Sequence, residues 1–152
     1  MPVTGDRAAL VARYADGYTA FAEAVAECPD LDASDGDGWT ARQVVHHLAD
    51  AELTSGIRLR RLLAEDEPVI ASYDENAFAR LLHYDARSVD VSLRVVEAVR
   101  AASLDLLGRL SEAEWARRGT HTESGPYGVE DWLRTYVAHP FDHAEQVRRA
   151  RR

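Results

Sequence analysis

The chain has six histidines, and two of them, His139 and His143, lie four residues apart in Tyr136-Val137-Ala138-His139-Pro140-Phe141-Asp142-His143-Ala144-Glu145-Gln146-Val147. On a helix, residues at i and i+4 sit one turn apart on the same face. Two imidazoles placed this way can serve one divalent metal, although such a site needs a third or fourth ligand. The competing reading is a pair of ordinary helix histidines near a C-terminus, where the helix dipole favours a positive ring. Further ligands are offered some ninety residues upstream by His46-His47. Adjacent helix residues differ by about 100° around the axis, so only one of these two rings can aim at a given ion. Three neutral imidazoles would leave a coordination position open, as catalytic sites do and closed structural sites do not. No Glu follows His139 in the manner of the zinc peptidases, which argues against peptide hydrolysis.

These residues need helices to position them. A first helical segment is predicted over about 5–27, where Leu10, Tyr14, Gly17, Phe21, Ala24 and Cys28 recur at spacings of three and four; Pro29 stops it. Asp30 to Gly38 reads as a loop. The second segment starts at a capping box formed by Thr40 and Gln43, with Trp39 and Val44 as a hydrophobic staple, and runs to about Leu63. Along it His47, Ala51, Thr54 and Arg58 form one stripe, so His47 and Arg58 point roughly the same way.

Residues 65–88 form a long connection, with a short helix expected near Glu75 to Leu82. A third long helix is expected from about Asp90 to Leu110, its buried face marked by Val91, Val95, Val99, Ala102, Leu106 and Leu110. Ser111 and Glu114 suggest a capping box for a short helix carrying Trp115, and 117–128 reads as loop or turn. The fourth long helix starts near Val129. Its core stripe is Val129, Trp132, Leu133, Tyr136, His139, His143 and Val147, so both histidines face inward. Pro140 interrupts this helix. It cannot donate to the Tyr136 carbonyl, so a kink or bulge is expected there, with that carbonyl free for a water or another donor. No strand pattern stands out, and the expected fold is all-α, a four-helix bundle with a long crossover between its second and third helices.

With 152 residues, 46% of them apolar, the chain fits a single domain over 1–152 with one core. The net charge of −8 argues against non-specific nucleic-acid or anionic-membrane binding. All eighteen basic residues are Arg. The basic end, Arg148 to Arg152, reads as a dipole complement and solvated tail. One cysteine, Cys28, rules out an internal disulfide and fits a reducing cytoplasm; nothing near it in sequence would activate it as a nucleophile. No signal peptide or membrane span is apparent.

Several stretches taken together resemble the DinB-like family of metal-binding four-helix bundles, and within it the bacterial branch of metal-dependent hydrolases and bacillithiol S-transferases. They are Gly38-Trp39-Thr40-Ala41-Arg42-Gln43-Val44-Val45-His46-His47-Leu48-Ala49-Asp50, then Ile57-Arg58, Glu67-Pro68-Val69-Ile70, Tyr73-Asp74-Glu75, and Tyr136 to His143. The resemblance implies that the His preceding Leu48, His47, joins His139 and His143 as metal ligands, leaving His46 on the surface or in a supporting role. It also gives Asp50 and Arg58 a supporting role or a part in holding an anionic thiol cofactor; a surface salt-bridge pair is the alternative. Tyr73, Asp74 and Glu75 could line a pocket mouth or cap a helix. His121 and Glu123 could face the pocket or lie exposed, and His83 is expected on the surface.

The implied activity is metal-dependent activation of a low-molecular-weight thiol, or of water, for transfer to an electrophilic small molecule. The alternatives are a metal-dependent hydrolase and a non-catalytic metal- or thiol-binding stress protein, and a homodimer is compatible with each. Three imidazoles suit Zn²⁺ best, with Ni²⁺, Fe²⁺ or Mn²⁺ also able to bind.

Overall fold

The computed structural model describes residues 4–34 and 38–150. Part of the expected Asp30–Gly38 loop and the last two arginines, Arg151 and Arg152, therefore lie outside the described residues. Four long helices form the body: α1 (Thr4–Glu27), α2 (Ala41–Ala64), α4 (Val89–Leu107) and α6 (Val129–Ala150). The crossover between α2 and α4 carries the strand β1 (Val69–Ile70) and the short helix α3 (Glu75–Leu81). Between α4 and α6 lie α5 (Glu112–Trp115), β2 (Arg118–His121) and β3 (Gly125–Gly128).

The helices start where the sequence supplies caps. Thr40 accepts from the Gln43 amide while the Gln43 side chain accepts from the Thr40 amide, a complete capping box for α2. Asp74, Ser88 and Ser111 accept from the amides of Ala77, Val91 and Glu114, opening α3, α4 and α5. At α6 the Asp131 carboxylate takes the Gly128 amide at 2.7 Å.

The expectation of loop alone over 117–128 is corrected. This stretch is a β-hairpin, and β1 from the crossover pairs parallel with β2 to complete a three-stranded sheet in the order β1-β2-β3. Alternation is weak in such short strands and the hairpin is rich in Gly, so its pattern is not read as a strand from sequence. Gly119 is required there: a Cβ at that position would collide with the Pro68 carbonyl oxygen. The neighbouring Thr120 amide donates to that same oxygen at 2.9 Å. The sheet thereby fastens the crossover against the entry to α6.

In the core, α1 packs chiefly on α6 and α2 on α4, with α2 also against α6. Two apolar clusters form. One gathers Tyr14, Leu59, Leu62, Leu107, Trp132, Leu133 and Tyr136. The other gathers Phe21, Val44, Leu48, Val96, Ala144 and Val147. Between them, on each long helix, the chain places a small or polar residue: Gly17 on α1, Glu52 on α2, Arg100 on α4, and His139 with Pro140 on α6. A polar layer thus crosses the bundle between two dry ones.

Two expectations about faces change. Helix α4 buries Ser92, Val96, Arg100, Ser103 and Leu107, one residue on from the expected stripe, and Val91 is 48% exposed. Helix α2 is buried on several sides, and this takes His46 into the interior along with His47.

Candidate metal centre

Helices α2 and α6 run antiparallel. His47 meets His139 and His143, while further along α2 the Ser55 carbonyl accepts from Trp132 Nε1 at 2.8 Å. Three imidazoles meet at this crossing. The His47 ring lies 5.5 Å from that of His139 and 4.7 Å from that of His143, centroid to centroid, and the pairs are edge-on. His139 and His143 turn their Nε2 atoms towards each other at 3.1 Å. One ligand nitrogen from each of the three rings falls within 4.8 Å of the others.

The surroundings hold the rings neutral. Burial lowers the pKa of His139 to about 3, helped by His143, His47 and Arg100. Burial, then the charge of His143, lowers His47 to about 4. His143 is also lowered by burial, against the opposing pull of its hydrogen bond to Gln146. Neutral imidazole is the ligand form, so the site needs no proton loss before binding a metal at neutral pH. The Gln146 Oε1 sits 2.8 Å from His143 Nδ1, which holds the proton on Nδ1 and leaves the Nε2 lone pair facing the cluster. His139 Nδ1 is buried with no hydrogen-bond partner. Trp39 packs edge-on against His47 at 4.9 Å. The donor set fits one borderline divalent ion. Among the described His, Cys, Asp and Glu residues the cluster has three members.

Of the other residues singled out by sequence, His46 departs from the surface reading. It is fully buried, its Nδ1 lies 2.7 Å from Ser92 Oγ on α4, and it faces away from the histidine cluster. Asp50 and Arg58 do not pair with each other. Asp50 accepts from both terminal nitrogens of Arg87 and from the Tyr84 hydroxyl, each at 2.9 Å, so its carboxylate is occupied. Arg58 donates to the Tyr136 hydroxyl at 3.0 Å and the Ala71 carbonyl at 2.7 Å. It lines a cleft of about 430 Å³ together with Tyr73, Asp74, Glu75, His121 and Glu123. His121 and Glu123 therefore do face a pocket. Asp74 both caps α3 and lines the mouth. His83 is exposed, with a left-handed φ of 57°.

Tyr136 links cleft and cluster: its hydroxyl meets Arg58, and its ring stands edge-on to His139 at 5.8 Å. Burial raises the Tyr136 phenol, with Arg58 pulling it back, so it keeps its proton at neutral pH. Glu75, at the mouth, adds negative charge felt at His143.

Pro140 lies inside a helix that continues unbroken from Val129 to Ala150, with no bulge. The Tyr136 carbonyl that it leaves without a helix donor accepts from Arg100 Nη1 at 3.1 Å. Arg100, Glu52 and Gln146 were not singled out from sequence. Gln146 had a signal, its i+3 spacing from His143. Arg100 and Glu52 had none, because charged residues inside long helices normally face solvent.

A four-helix bundle in which α1 runs parallel to α6 and α2 parallel to α4, with three convergent histidines beside a polar cleft, defines the class of molecule. The chain belongs to the DinB superfamily, whose profile matches residues 7–147. A relative from Oceanobacillus iheyensis, named "Putative metal-dependent hydrolase", is 36% identical over 110 residues, covering 72% of this chain and 63% of the relative. YfiT of Bacillus subtilis, which bears the same description, is 33% identical over 111 residues, covering 72% of this chain and 62% of YfiT. The chain thus spans less than two thirds of the length of these curated relatives in the matched stretch. The solved structure of YfiT, described as "a probable metal-dependent hydrolase with an unusual four-helix bundle topology", superposes with a TM-score of 0.88 at 28% identity. That superposition covers 97% of this chain and 86% of YfiT. Among the described residues no helix is long and apolar enough to cross a membrane.

Proposed function

We propose that His47, His139 and His143 hold one divalent metal, Zn²⁺ or a similar ion, in an enzyme that activates a low-molecular-weight thiol for transfer to an electrophilic small molecule. The observation that carries this reading is the convergence of three neutral imidazole nitrogens within 4.8 Å of one another. When bound, the ion supplies Lewis acidity that lowers the pKa of a thiol or water into the neutral range. The protein residues orient and select. Gln146 fixes the tautomer of His143. Asp50, tied to Arg87 and Tyr84, is not free to close the site as a fourth ligand, which supports an open position. Arg58 offers a cation in the cleft, and Tyr136 offers a hydroxyl proton between the cleft and His139.

Hydrolysis of a small substrate is the second reading, favoured by the names of the relatives. The two separate in one experiment. Zn²⁺-loaded protein is offered small thiols with a haloalkyl fluorophore, and separately a panel of small esters and amides. Metal-dependent thioether formation, abolished in His139→Ala, is the expected result. Metal-dependent hydrolysis alone would establish the second reading. Neither activity would make the bundle a non-catalytic binding protein.

A further inference from the structure

We propose that Arg100 is the positioning residue of this centre: it replaces the backbone hydrogen bond that Pro140 removes and thereby ties the two ligand-bearing helices together. The inference rests on reading the three histidines as a metal site. Pro140 lies between His139 and His143, where its missing N–H leaves the Tyr136 carbonyl without a helix partner. Such a gap in the turn that carries both ligands would let one slide relative to the other. Arg100 reaches in from α4, 3% exposed, and its Nη1 donates to that carbonyl at 3.1 Å. The same nitrogen donates to Glu52 Oε1 at 2.6 Å, and Nη2 donates to the Tyr14 carbonyl at 2.9 Å. Glu52 is on α2, five residues beyond His47. One guanidinium therefore links the α6 turn that carries two ligands to the α2 segment that carries the third.

The arrangement draws on all four long helices. Gly17 on α1 provides the space: a Cβ there would stand 2.5 Å from Pro140 Cγ and 2.8 Å from Arg100 Nη2. The Tyr14 ring supports the guanidinium, with Cζ 3.9 Å from its centroid. Burying an arginine to satisfy a carbonyl is costly in isolation, and Glu52 supplies the countercharge that makes it tolerable. Pro140 and Arg100 then form a matched pair. The proline opens a carbonyl, and the arginine uses it as an anchor that an uninterrupted helix would not offer.

The test uses Arg100→Lys, which keeps a positive charge for Glu52 but lacks the planar fork that serves three acceptors. It is compared with Pro140→Ala, which gives the Tyr136 carbonyl a backbone donor again, and with the double variant. Zn²⁺ affinity is read by competition with a chromophoric chelator. Ligand geometry is read from the visible spectrum of the Co²⁺ form. Arg100→Lys is expected to weaken Zn²⁺ binding by about tenfold or more and to shift the Co²⁺ bands. In the Pro140→Ala background the same change is expected to cost no more than about threefold. Equal losses in the two backgrounds, or unchanged affinity and spectrum in Arg100→Lys, would overturn the proposal. If Arg100→Lys does not fold, folding of the double variant supports the pairing and failure of both contradicts it. A wild-type protein that takes neither Zn²⁺ nor Co²⁺ overturns the metal reading itself, a result distinct from any failure of the variants.

Discussion

At the scale of single residues, position decides which histidines can act. His46 and His47 are neighbours in sequence, yet His47 joins the cluster and His46 bonds Ser92 on the other side of α2. His46→Ala should therefore keep its metal while losing about 1–3 kcal/mol of stability, from the broken buried bond and the space left behind. Gln146→Leu should do the reverse. It frees the His143 ring to turn, leaves the fold intact, and should weaken metal binding about 10- to 100-fold. Chelator competition and urea unfolding on both variants check the pair, and Gln146→Leu with undiminished affinity would refute the orienting role.

The lowered histidine pKa values also predict a pH response of the metal-free protein. His139 is near 3 and His47 near 4 in the fold, against an ordinary value of 6.5. Below about pH 6.5 the unfolded chain takes up protons that the fold refuses, so stability falls as pH falls and the loss is complete only below the folded values. The melting temperature of the metal-free protein should be level above pH 7 and should drop by several degrees between pH 6.5 and 5, before most carboxylates titrate. A level profile across that interval would mean that the rings are not held neutral by burial.

At the scale of elements, the caps and periodicities made the four long helices legible. Thr40 with Gln43, Pro29 and the Val129 start all act as their residue types suggest. The inward stripe of α6 was equally legible, because its apolar residues continue directly into His139 and His143. What sequence could not supply was the phase of α4. Apolar counting favours Val91, Val95 and Val99, but the buried stripe is Ser92, Val96 and Arg100. Its partners decide this: Ser92 has His46 to meet, and Arg100 has Glu52 and the Tyr136 carbonyl. Those groups lie on other helices, and a single-helix pattern does not contain them. The freed Tyr136 carbonyl was foreseeable from Pro140, but the identity of its donor was not.

Gly17 tests this packed layer at its narrowest point. Ala is the better helix former by about 1 kcal/mol, so Gly17→Ala would stabilise an unconstrained helix. Here the added methyl meets Pro140 and Arg100, and overpacking should outweigh that gain, for a net loss of about 1–3 kcal/mol in urea unfolding. A variant as stable as the parent would show that the layer is looser than these distances imply.

At the scale of the whole molecule, two apolar clusters hold a polar layer between them; His139 and His143 lie at that layer, and His47 borders it among the residues of the second cluster. The small sheet pins the crossover against the hairpin. Arg58 on α2, Tyr73, Asp74 and Glu75 in the crossover, and His121 and Glu123 in the hairpin thus converge on one cleft. These residues come from three separate stretches of sequence. Their individual types hint at a pocket, and only the sheet registers show how they meet. On the proposed function, the buried centre would hold the ion and the neighbouring open polar cleft would receive the small molecule.

All of this depends on the three histidines acting together on one ion. The direct measurement is elemental analysis of tag-free wild-type protein after exposure to Zn²⁺ or Ni²⁺ and gel filtration, with His143→Ala alongside it. About one metal per wild-type chain and almost none in the variant is the expected result for a three-histidine site. A metal-free wild type, or a variant that keeps a full equivalent, would contradict it.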